Sequence, residues 1–226
     1  MTTIKKNDQD IKADIAREFA WDTRVAATEV GVQVKNGIVT LAGTVDSWAK
    51  VRAAAEAAHR VSGVLDVAND LVVNPAGGAH RSDADIAQAV RHALEWDVTV
   101  PDRQIHSTVS GGLVTLEGTV ASWSQRADAE RAVERLTGVK RVANVIKIEP
   151  EVRASLSDVR AAVETALGRQ AAREASRIDL MIGGGGTVDA VGTVNSLREK
   201  QAVLGAIRGT RGVREVSDHL SVESSP

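Results

Sequence analysis

The apolar positions of this chain run through one cycle of periods and then repeat the cycle. Ile11, Ile15 and Phe19 fall at i, i+4 and i+8, one stripe of an amphipathic helix. Val30, Val32 and Val34 then alternate with Glu29, Gly31 and Gln33, the period-two pattern of a half-buried strand. Asn36-Gly37 follows, a strong short hairpin signal, and Val39, Leu41 and Val45 mark the return strand. Ser47 stands where a second helix needs its N-cap, and Gly63 where that helix needs a C′ residue. Val64, Val67, Leu71 and Val73 close the cycle as a last strand.

The same cycle returns twice, at a period of about 75 residues. Ile86, Val90 and Leu94, then Val159, Val163 and Leu167, repeat the first stripe; Ser82 or Asp83, and Ser157, stand at the expected N-caps. Gly111-Gly112 and the looser Gly183–Gly186 run replace the Asn-Gly turn. Ser122 and Ser196 precede the second helix, and Gly138 and Gly212 follow it. The pattern predicts an α+β fold made of three tandem small sandwiches. Each runs helix-strand-strand-helix-strand, with two helices on one face of a three-stranded sheet. The predicted domains are 8–74, 81–149 and 155–223, joined by a Gly-rich linker after Asn74 and a shorter one around Pro150. Leu41 and Leu116 become Ala190 in the third unit, which removes core volume there.

Composition narrows the function classes. The formal net charge is −2, so there is no global electrostatic case for a nucleic-acid partner. Cysteine is absent, which excludes disulfides and thiolate metal sites. No stretch approaches the length of a transmembrane helix, and the lysine-bearing N-terminus lacks the apolar core of a secretory signal; the expectation is a cytoplasmic protein.

What recurs between copies is glycine, valine, alanine and leucine rather than acids, bases or nucleophiles. Gly43, Gly118 and Gly192 interrupt the second strand at one repeated place, which predicts a bulge or a close backbone approach. Asn69 and Asn144 interrupt apolar strand residues and are expected to cap a nearby backbone group. The five histidines do not recur: His59 corresponds to Glu134, and His106 to Gly31. No catalytic residue, cofactor or metal ligand is predicted, and the chain reads as a non-enzyme.

These residues resemble the BON domain, named for bacterial osmotically inducible and nodulation proteins and also called the transport-associated domain. The resemblance rests on Gly43 and Val45, Ala55-Glu56-Ala57, then Gly63-Val64, Val67, Asn69, Leu71 and Val73. It returns in Gly118, Val120, Ala129-Glu130, Gly138-Val139, Val142, Asn144, Ile146 and Ile148. The third copy keeps Gly192, Val194, Gly212-Val213, Val216, Leu220 and Val222, but Asp218 replaces the asparagine. The resemblance implies non-catalytic binding connected with osmotic or envelope stress. The implied ligands are an anionic phospholipid surface, a protein partner or potassium. Stacking of similar units within and between chains, giving a homo-oligomer, is the competing structural reading.

The tryptophans are the candidate interface or ligand surface. Trp21 and Trp96 end the first helix of two units, and Trp48 and Trp123 start the second helix; Arg169 and Leu197 stand near those places in the third unit. An indole is an apolar body with one polar N–H, suited to interfaces. Trp21 and Trp96 are expected to lie against neighbouring protein, with the first two units as the closer pair.

Overall fold

In the computed structural model, which describes residues 6–75, 81–152, 154–167 and 178–222, the period pattern becomes three α+β sandwiches in series. The first contains α1 (Asp8–Trp21), β1 (Val30–Lys35), β2 (Ile38–Val45), α2 (Trp48–His59) and β3 (Asp66–Val73). β1 pairs antiparallel with β2 from Lys35↔Ile38 to Val30↔Gly43. The turn works because Asn36 and Gly37 both take positive φ, 52° and 78°, which fits the right-handed twist of the flanking strands. β3 pairs parallel with β2, Ile38↔Asp66 through Val45↔Val73, so the connection must cross the sheet, and α2 is that crossover. α1 and α2 pack on each other and on the strands, burying Ile11, Ile15, Phe19, Val39, Leu41, Ala54 and Ala57 between helices and sheet.

The second sandwich repeats this with α3 (Asp83–Trp96), β4 (Ile105–Ser110), β5 (Leu113–Val120) and α4 (Trp123–Glu134). Its last strand is broken into β6 (Arg141–Asn144) and β7 (Lys147–Ile148), both parallel to β5. The third has α5 (Leu156–Leu167), β8 (Ile178–Ile182), β9 (Thr187–Val194), α6 (Leu197–Gly209) and β10 (Glu215–Val222). There α5 and α6 approach each other along more of their length than the helix pairs of the other two units. Ala190 of β9 is fully buried in the core that these helices cover.

Helix boundaries correct two expectations. Ser82 caps α3 with a reciprocal capping box to Asp85, but Ser157 lies inside α5, which Ser155 precedes. Gly63 and Gly138 are not C′ residues: α2 and α4 end at His59 and Glu134 with Arg60 and Arg135 as C-caps, and α6 ends at Gly209, before Gly212. The glycines close the turn that follows. A Cβ on Gly63 would lie 3.1 Å from the Ile11 side chain, so the turn is packed under the first helix.

Candidate functional site

The second helices of the three units meet one another, and the meeting follows one rule. Arg52 of α2 reaches Glu134 of α4 at 2.6 Å and Glu130 at 3.2 Å. Glu134, 8% exposed, is a buried charged residue whose cation comes from another unit. Gln201 of α6 donates its side-chain amide to Nδ1 of His59 on α2. In the repeat, positions 52, 127 and 201 are equivalent, as are 59, 134 and 208. Two seams therefore join the same pair of positions. At the remaining seam Ala127 is too short to reach across, and Arg208 instead lies over the indole of Trp123, 5.0 Å from its centroid. Trp48 packs on the cores of the first and second units, and its third-unit equivalent Leu197 packs on the core of the first. Contacts of one sense around three units close a ring.

The four tryptophans divide into two classes. Trp48 and Trp123 sit at the seams, their indole nitrogens buried and without an acceptor among the described residues. Trp21 and Trp96 are 85% exposed, which overturns the expectation that they lie against neighbouring protein. The reason is geometric. Each follows its stripe residue, Phe19 or Leu94, by two positions, roughly 200° around a helix, and so points away from the core. The inter-unit seams involve α2, α4 and α6 rather than α1 and α3. Nor do the first two units stand apart as a pair, since each unit touches both others. Arg169, expected near the third counterpart of Trp21, lies outside the described residues.

The exposed indoles sit on rigid mounts. Beside Trp21, Asp22 accepts from Arg24 at 2.8 Å and Arg60 at 2.7 Å, and Arg60 also reaches Glu18 at 2.7 Å. The Arg24 hydrogen bonds, aided by those of Arg60, hold the Asp22 carboxyl far below the usual carboxylate range. Beside Trp96, Asp97 accepts from the Thr99 amide at 3.0 Å and hydroxyl at 2.6 Å, which hold its carboxyl below the ordinary value.

The repeated glycines and asparagines lie inside the units. Gly43 and Gly118 take φ of 143° and 131°, and a Cβ on either would run into the carbonyl oxygen of Glu29 or Gln104. Gly192 holds the equivalent place in β9, with φ of 140°. Asn69 donates to the Val51 carbonyl of α2 at 3.3 Å and accepts from the Leu71 amide at 3.2 Å, tying strand to crossover helix. Asn144 does the same with the Arg126 carbonyl, 2.9 Å, and the Ile146 amide, 3.3 Å. In the third unit Asp218 still accepts from the Leu220 amide, and its second oxygen pairs with Lys200 at 2.9 Å.

The chain compares with known proteins in three places at once: residues 7–75, 82–150 and 155–224 each match the BON domain. The chain belongs to the BON family. It is 30% identical over 145 residues to Osmotically-inducible protein Y of Escherichia coli (strain K12), covering 62% of this chain and 72% of that protein. Among solved structures it is similar to the C-terminal domain of CdsD, described as a structural protein of the type III secretion system of Chlamydia trachomatis. That likeness has a TM-score of 0.25 and 15% identity, over 96% of this chain and 100% of the other.

One recurrent residue in the BON domains escaped the sequence reading. Asp8, the first residue of α1, accepts from the amides of Asn36 and Gly37 at 2.8 and 2.9 Å. Asp83 accepts from Gly111 and Gly112 at 2.7 and 3.0 Å. The helix start thus clamps the hairpin tip, and its recurrence at a 75-residue spacing was the available signal. The third BON domain has Leu156 at this position, the first residue of α5, and a different, 3₁₀ turn at Gly184–Gly186. Among the described residues, no His, Cys, Asp and Glu group is arranged to hold a metal ion, and no helix is long and apolar enough to cross a membrane.

Proposed function

We propose that this BON protein is a non-enzymatic binding protein of the osmotic or envelope stress response. It docks on an anionic phospholipid surface through Trp21 and Trp96. The observation that carries the reading is the pair of indoles, each 85% exposed, at equivalent places on two domains. Exposing a tryptophan costs apolar hydration that an interface recovers, and an indole suits the headgroup level of a bilayer. Val98, almost wholly exposed beside Trp96, adds to the apolar rim. Similarity to a protein named as osmotically inducible supports the stress association. The closed seams weigh against the alternative of stacking between chains, because the second helices are already engaged within one chain.

The test is tryptophan emission with vesicles. Phosphatidylglycerol vesicles should shift emission to the blue and co-sediment the protein; phosphatidylcholine vesicles should do so weakly. The Trp21→Ser/Trp96→Ser double variant should lose both effects. No shift and no co-sedimentation with either lipid would remove the lipid reading. Pull-down with the same double variant, and calorimetry with potassium chloride against sodium chloride, then test a protein partner and a potassium site.

A further inference from the structure

Two guanidinium groups from different BON domains share one indole. Arg126 of α4 and Arg208 of α6 stand 5.2 and 5.0 Å from the centroid of Trp123. Arg24, Arg52, Arg60 and Arg91 each pair with an acid, whereas neither Arg126 nor Arg208 has a carboxylate partner among the described residues. Arg126 spends one N–H on the Asn144 carbonyl at 2.7 Å. The Arg208 guanidinium makes no hydrogen bond among the described residues. Burial of its guanidinium, and then the like charge of Arg126, push it below the ordinary arginine value, with only Asp218 pulling the other way. Unpaired like charges brought together at a domain seam are costly, and a bound anion relieves the cost.

Beside them opens a cleft of about 290 Å³ between the second and third domains. Its walls include Trp123, Ser122, Ser124, Arg208, Arg211 and Gly212. The amides of Arg211 and Gly212, in the turn on this wall, make no backbone hydrogen bond among the described residues. Among the described residues Glu151 is the one acid of the lining. Among the described residues, two guanidinium groups over one indole occur at this seam alone. At the first seam the positions of Trp123, Arg126 and Arg208 hold Trp48, Val51 and Glu134, with a carboxylate where this seam has a guanidinium.

We propose that this cleft binds a phosphate-sized oxyanion, held by Arg208 with Arg126 and Arg211 supplying further positive charge. A ligand held between α4 and α6 ties two domains together, a role separate from the Trp21 and Trp96 rim. Its chemistry suits either a free phosphate or the phosphate of a lipid headgroup.

The experiment is calorimetry and thermal melting of the full chain with inorganic phosphate, against sodium chloride at equal ionic strength. Saturable one-site binding and a raised midpoint are expected. Arg208→Gln should weaken binding about tenfold or more, the loss of a charge-assisted contact. Glu151→Gln should tighten it. Heats and midpoints matching the chloride control would overturn the site, as would wild-type affinity in folded Arg208→Gln. The Trp21→Ser/Trp96→Ser variant should bind phosphate normally, so the rim and the cleft stand or fall separately. Displacement of phosphate by phosphatidylglycerol vesicles assigns the site to a lipid headgroup. Retention of phosphate against vesicles, with displacement by glycerol phosphate, assigns it to a soluble ligand; either result keeps the site.

Discussion

Arg52 of the first domain and Glu134 of the second form an ion pair at 2.6 Å in which a buried carboxylate takes its principal cation from another domain. Removing Arg52 leaves Glu134 without its principal partner in a site with little water. Arg52→Ala should therefore cost about 2 kcal/mol in urea unfolding. Arg17→Ala, which breaks an exposed pair with Asp14 on α1, should cost about 0.5 kcal/mol or less. Equal losses for the two variants would show that the seam pair contributes no more than a surface one.

At Gly43 and Gly118 the backbone and the space both exclude a side chain. Gly43→Ala or Gly118→Ala must move the Glu29 or Gln104 carbonyl that lies against the strand, and must also hold a positive φ. A loss of about 2–4 kcal/mol is expected for each, read as a lowered denaturant midpoint. Gly111→Ala, where a Cβ meets nothing within 4 Å, should lose much less, since only its φ of 59° is unfavourable.

The clamps made by Asp8 and Asp83 predict a local effect. Asp83→Ala removes two charge-assisted bonds to the Gly111 and Gly112 amides and a favourable charge at the start of α3. About 1–3 kcal/mol should be lost. Amide exchange should accelerate first at Gly111 and Gly112, and uniform acceleration across the chain would argue against a hairpin clamp.

The elements of the fold were legible because each is written in its own period. Ile11, Ile15 and Phe19 can share a face only on a helix, and Val39 and Leu41 only on a strand. Three copies of the pattern left little ambiguity of order. The seams were not legible, because periodicity reports which face is buried and not which neighbour buries it. Arg52, Gln201 and Ala127 are equivalent positions with unlike side chains, so the repeat hid their common role. For Trp21 the residue type suggests a protein partner, because a large apolar ring at a helix end suits an interface, but its two-residue offset from Phe19 turns it to solvent.

The seam between the third and first domains should weaken in mild acid. Burial pushes the His59 imidazole below its ordinary value, with Asp66 and Glu56 only partly opposing it. The unfolded chain then takes up the proton at a higher pH than the folded one. Stability is retained above about pH 6.5, declines as pH falls below it, and levels off under the folded value. Protonation also turns Nδ1 from acceptor to donor and removes the bond from the Gln201 amide. Melts from pH 7.5 to 5 should show a decline that His59→Gln reduces; an identical slope in the variant would clear His59 of the effect.

In the third domain Ala190, fully buried, stands where the other two have leucine, and α5 and α6 pack on each other along more of their length than the other helix pairs. Restoring the larger residue should therefore do harm. Ala190→Leu is expected to destabilise by about 1–3 kcal/mol, because the larger side chain must displace neighbours in a fully buried position under a closely packed helix pair. A raised melting midpoint would reveal a void under α6.

Closure around three seams also counts. A solenoid accepts one more repeat at either end, since each repeat asks only for a neighbour on each side. Here Leu197 of the third domain returns to the core of the first, so among the described residues the second helices of all three domains are engaged with one another. Loss of one domain would uncover two unlike faces at once, leaving a fragment whose simplest remedy is to borrow the missing neighbour from another molecule.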